Sequence, residues 1–141
     1  MYFKPLLLPL LAQVALTFTV MTVMYRKRVA EMRSKQIHPQ QIRTRSRSKD
    51  LLVDSAPASD NYSNLFELPV LFYIAILLTL ILMVQDSILV ILAWTFVATR
   101  CVHSLIHVTY NKVMHRFAVF IFSSFVLLAF WVRLGWIIFQ A

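Results

Sequence analysis

Four apolar stretches, each about as long as a hydrocarbon core is thick, constrain this chain more than any other feature. A helix needs about 20 residues to cross a bilayer. Runs of that length stand at Pro5–Tyr25, Leu65–Val84, Ser87–Val108 and Phe117–Phe139. Lipid offers no hydrogen bonds to bare backbone, and four strands cannot close a barrel, so the runs read as helices. The expectation is an all-α integral membrane four-helix bundle, up-down-up-down, forming a single membrane domain. Composition agrees: 60% of the 141 residues are hydrophobic and 14% charged, against about 45–50% and about 25% in soluble domains.

The remaining composition removes whole classes of function. One glycine excludes glycine-rich phosphate loops, and one cysteine, Cys101, excludes disulfide scaffolds and cysteine-based zinc sites. Pro5 and Pro9 fall in the first turns of span one, and Pro69 falls early in span two, after Asn64 as an expected N-cap. Only Gln85-Asp86-Ser87 separates spans two and three, which predicts a tight helical hairpin. Span one is too long for a signal peptide and runs directly into Arg26-Lys27-Arg28, so it reads as a retained anchor.

The net charge is +8, and its location decides its meaning. Residues 26–64 hold Arg26, Lys27, Arg28, Arg33, Lys35, Arg43, Arg45, Arg47 and Lys49, and Lys112 and Arg116 join spans three and four. Positive segments stay cytoplasmic, which places both termini on the other side. A bacterial inner membrane is the expected location. Trp131, Trp136 and Arg133 would form an outer interfacial belt, with Arg133 snorkelling to the headgroups. The polar, low-complexity second half of the 26–64 loop reads as mobile, a positive-inside determinant that touches anionic lipid. It lacks the interleaved aromatics of single-strand binding, so no nucleic-acid partner is expected.

Ionisable residues inside spans are costly, about 2.5–3.5 kcal/mol each at mid-helix on insertion scales, and each needs a partner, a cavity or a function. Asn64 and Glu67, three apart, stand at the start of span two. At about 100° per residue, Arg100, His103, His107 and Asn111 share a stripe about 80° wide on span three. Three readings fit. Glu67 and Arg100 form a buried ion pair, with the histidines and asparagines as interhelical hydrogen-bond donors and acceptors. Alternatively, Arg100, Arg116, the histidines and Arg26 or Arg28 line a cationic pocket for an anionic ligand, while the lipid supplies an apolar co-substrate. In the third, His103 and His107, four apart, bind a metal or haem with Glu67; adjacent Arg100 disfavours a divalent cation, and no metal is expected.

Asn64-Leu-Phe-Glu67-Leu-Pro69, followed by Arg100-x-x-His103-x-x-x-His107-x-x-x-Asn111-x-x-x-x-Arg116, resembles the MAPEG family, the membrane-associated proteins in eicosanoid and glutathione metabolism. The resemblance covers the four spans in order and nearly the whole chain apart from the long loop. It implies a homotrimer that binds glutathione between subunits near the cytoplasmic face and acts on a lipophilic small molecule. By position, Asn64 and Glu67 match glutathione contacts, Arg100 and His103 match a polar pair on the third helix, and Arg116 matches an arginine at the thiol end. Arg26 or Arg28 matches an arginine at the end of the first helix. On this reading Arg116 and His107 are catalytic, while Asn64, Glu67, Arg100, His103, Arg26 and Arg28 bind glutathione. The chain departs from the family at Ser63, His107, Phe117 and Phe120, where active members carry Arg, Tyr, Ser and an aromatic hydroxyl. The alternative is a non-catalytic membrane subunit that binds a lipid or docks into a larger membrane complex.

Overall fold

A computed structural model describes residues 4–140. Helix α1 spans Lys4–Ser34, a short 3-10 turn Pro39–Ile42, α2 Arg45–Leu51 and α3 Ala56–Asn64. Helices α4 (Leu68–Ile81), α5 (Ser87–Val108) and α6 (Val113–Gln140) follow. No strand occurs among the described residues. Helix α1, α3 with α4, α5 and α6 supply four stretches long and apolar enough to cross a membrane.

The four stretches pack as an antiparallel bundle around an apolar centre. Phe72, Ala75 and Ile76 of α4 meet Leu89, Ala93, Phe96 and Val97 of α5 and Val126, Leu127, Phe130 and Leu134 of α6. Phe72 and Phe96 stack with centroids 4.7 Å apart. The outer faces stay apolar: Leu8, Phe18, Ile91, Phe125 and Trp136 are exposed, as a surface solvated by acyl chains requires. Several small polar groups lie inside instead. Thr79 returns its hydroxyl to the Ala75 carbonyl at 2.7 Å, satisfying it within its own helix. Gln13 of α1 is fully buried with neither side-chain amide atom partnered.

Each helix end has a local cause. Helix α4 stops at Ile81 rather than Val84, because Met83 adopts φ 53° and Val84 N–H turns back to the Thr79 carbonyl at 3.1 Å. Asp86 then caps α5, accepting from Leu89 N–H at 3.0 Å. Helix α5 ends at Val108, so Asn111 lies beyond it in the turn. There it holds φ 46°, a conformation asparagine tolerates, and its N–H meets the Ile106 carbonyl at 2.8 Å. Helix α6 starts at Val113, four residues before the expected Phe117.

Three expectations need correction. Arg133 does not snorkel alone; its Nη2 donates to Asp86 at 2.7 Å, tying α6 to the start of α5. Burial works against the Asp86 carboxylate, but the Arg133 and Leu89 hydrogen bonds hold its pKa below the ordinary value. The helix does not end with the apolar run at Tyr25: α1 continues without interruption to Ser34. The segment after it is folded, not a mobile loop. Glu31, on the protruding part of α1, is buried. It accepts from Asp54 N–H at 3.0 Å, Ser55 N–H at 2.8 Å and Ser55 Oγ at 2.6 Å, and pairs with Lys35. Burial alone would raise its pKa; the hydrogen bonds outweigh it and bring the value down to about 2. Arg28 Nη2 donates to Ser48 Oγ at 3.0 Å, fixing α2 against the same helix.

Candidate functional site

The site is built around an interruption. Proline at 69 has no N–H to continue a helix from α3, and it disfavours helical geometry in the residue before it. Helix α3 therefore stops at Asn64, residues 65–67 form a turn, and α4 restarts at Leu68. Asn64 thus ends α3 and does not cap span two; Glu67 occupies the N-cap position, with no side-chain capping bond. The Asn64 carbonyl, freed from the helix ladder, accepts from Glu67 N–H at 3.4 Å and from Arg100 Nη2 at 3.1 Å.

That second bond replaces the expected Glu67–Arg100 ion pair, which is absent among the described residues. Glu67 is exposed while Arg100 is fully buried, so equal depth along the helices did not bring their charges together. Arg100 Nε and Nη1 have no partner in the protein, and its guanidinium lies 6.0 Å from the Phe120 ring centroid. His103, also buried, lies between that ring and His107, with centroid distances of 6.1 and 4.9 Å. Asn64 Nδ2 stands 3.3 Å from His107 Nε2. An amide nitrogen only donates, so this contact requires the tautomer with an unprotonated Nε2. Arg116 Nη1 donates to Asn111 Oδ1 at 2.8 Å, which aims the guanidinium back along α5.

These groups border a cavity of about 850 Å³ at the basic end of the bundle. Asn64, Glu67, His107, Arg116 and Arg28 line it. Arg100 and His103 stand behind its wall, and Arg26 is exposed outside it. The stripe on α5 is therefore divided: His107 reaches the cavity, Arg100 bonds the turn that presents Asn64 and Glu67, and His103 packs against His107 and Phe120. Among the described residues, no group of three or more histidine, cysteine, aspartate or glutamate side chains is placed to hold a metal, so Glu67 does not join the two histidines. Cys101, one position off the stripe, faces outward on the bundle surface. A second cavity of about 390 Å³ lies at the opposite end beside Asp86, whose carboxylate is already engaged by Arg133.

Sequence reasoning missed several residues. Arg45, Ser48 and Lys49 of α2, and Asp60 and Tyr62 of α3, also line the cavity. Asn61 and Ser104 join α3 to α5 reciprocally: Ser104 Oγ donates to Asn61 Oδ1 at 3.1 Å, and Asn61 Nδ2 to the Ser104 carbonyl at 3.4 Å. The available signals were the Asn61/Asn64 spacing of three and the Glu31/Lys35 spacing of four.

The arrangement offers Arg28, Arg45, Lys49 and Arg116 against Asp60 and Glu67, at the boundary between apolar helices and a polar cap. It suits an anionic ligand carrying one cationic group. Searches of curated proteins and of solved structures return no match. The profile of the MAPEG family matches residues 6–136, nearly the whole chain. With four apolar helices in the family's order and this match across them, the chain belongs to the MAPEG family.

Proposed function

We propose that the protein is a glutathione-dependent transferase or peroxidase acting on lipophilic electrophiles. The observation that carries this reading is the cavity where Asn64, Glu67, His107, Arg116 and Arg28 meet at the basic end of the membrane helices. We further propose that this end faces the cytoplasm, following the positive-inside rule. Glutathione would sit between subunits of a homotrimer, as in the family.

Glutathione carries two carboxylates, one ammonium and a thiol mostly protonated at neutral pH. Arg116, a fixed cation, favours the thiolate, the reactive form. Arg28 takes a carboxylate and Glu67 the ammonium. His107 Nε2 accepts the thiol proton once glutathione displaces the Asn64 amide from it. In conjugation the thiolate sulfur bonds to the electrophilic carbon while the carbon–halogen bond breaks and halide leaves.

The test is conjugation of an aromatic halide by purified protein in detergent, with Arg116→Ala expected to lower the rate at least about tenfold, a lower bound on the roughly hundred- to thousandfold loss that follows removal of one preorganised stabilising donor. Glutathione at about a hundred times its Kd should stabilise the protein by about 2.7 kcal/mol in a melting experiment. The absence of both conjugation and thermal shift would reject the reading.

One observation favours a second reading. Phe120 packs against His103 and Arg100, where an aromatic hydroxyl was expected from active members of the family. A non-catalytic subunit that docks another membrane protein would co-purify with a larger complex, and its melting would ignore glutathione.

A further inference from the structure

Helix α2 carries Arg45, Ser48 and Lys49 on one face, at spacings of three and four, and that face lines the cavity. Arg43 and Arg47, equally basic neighbours, do not line it. Arg28 stands beside them, donating to the neutral Ser48 hydroxyl, which leaves its charge uncompensated. The ion pairs among the described residues are Lys35 with Glu31 and Asp54, and Arg133 with Asp86; none involves Arg28, Arg45 or Lys49. Arg45 and Lys49 are thus cations outside any ion pair, on a cavity also lined by Asp60, Glu67, His107 and Arg116.

The level of this rim identifies what can reach it. Met24, at the end of the apolar run of α1, lines the cavity together with Phe66. Tyr25, Leu51, Val53 and Phe66 are exposed around it. Amphipathic aromatics flanked by basic groups sit at the headgroup layer of a bilayer. An anion entering at this height from the bilayer brings its acyl chains along the exposed apolar side chains and its phosphate to Arg45 and Lys49.

We propose that Arg45 and Lys49 form a subsite for the headgroup phosphate of an anionic phospholipid from the leaflet at the basic end. This subsite is read independently of what occupies the rest of the cavity. It makes α2 a lipid-contacting flap over the cavity, and the rim more than a diffuse determinant of orientation.

The full chain, reconstituted in nanodiscs of phosphatidylcholine doped with phosphatidylglycerol, is released into a native mass spectrometer and its retained lipids are counted. Wild-type protein should keep phosphatidylglycerol in preference to phosphatidylcholine. Arg45→Gln with Lys49→Gln should reduce that preference about thirtyfold, the order expected for losing two cations near a charged membrane surface. Arg43→Gln with Arg47→Gln removes equal charge off the cavity and should leave the preference unchanged. Arg45→Lys with Lys49→Arg should also preserve it. Equal losses in both glutamine pairs would reduce the effect to general attraction and overturn the subsite. So would the absence of any preference in wild type, or displacement of the retained lipid by inorganic phosphate, which would mark a site for a soluble anion. None of these measurements involves glutathione, so the subsite and the proposed enzyme activity stand or fall separately.

Discussion

Arg100 is a buried cation whose one bond in the protein goes to a backbone carbonyl. Removing a buried charge in favour of an apolar side chain of similar length often costs little stability, whereas the site it organises loses its support. Arg100→Met should therefore leave the melting temperature without ligand unchanged or higher, and shrink the shift caused by glutathione. A large fall in the ligand-free melting temperature would show that Arg100 supports the bundle itself. The stripe containing Arg100 was legible from periodicity, because angular position on a helix follows from residue number. Which members of the stripe reach the cavity was not legible. That depends on how far the turn at 65–67 projects and on where α5 ends, and both follow from tertiary packing. Asn111 shows the same limit: its angle matched the stripe, but α5 stops at Val108, before reaching it.

At the scale of elements, the clearest surprise is the order in residues 35–64. Composition read its part from Arg43 to Asp60 as mobile, since that part is polar and rich in Arg and Ser. What anchors it to α1 includes a carboxylate whose partners lie more than twenty positions away, at Asp54 and Ser55. No local pattern encodes such a bond. Because the pKa of Glu31 is lowered to about 2 from 4.5, its contribution is fully present above about pH 4.5 and is lost as pH falls towards 2. A spin label at position 46 should accordingly gain mobility over that interval and not between pH 5 and 8. Glu31→Gln should produce the mobile spectrum at neutral pH and speed tryptic cleavage after Arg43, Arg45 and Arg47. An unchanged spectrum would show that Arg28 and the cavity wall suffice to hold α2. The interruption between α3 and α4 was partly legible, because Pro69 marks it, but α3 itself was hidden inside the supposed loop.

For the whole molecule, the four spans were the most legible feature, since bilayer thickness sets their length and little else in a protein demands it. Sidedness belongs to this scale and rests on where the cations lie. With Cys101 replaced by alanine, a cysteine introduced at Ser46 should react with a membrane-impermeant maleimide only from the cytoplasmic side, and one at Gln85 only from the other. Reversed labelling would invert the orientation and place the cavity outside the cell. The attachment of both Lys35 and Ser55 to Glu31 has a consequence for this architecture. It acts as a staple at the neck of the intervening stretch, so the bundle does not register the contour length beyond that neck. Closure entropy changes slowly with the number of residues enclosed. An epitope spliced between Gln36 and Gln40, away from the cavity lining, should leave melting temperature and glutathione response intact, which makes that bend the natural place to mount a handle on the protein.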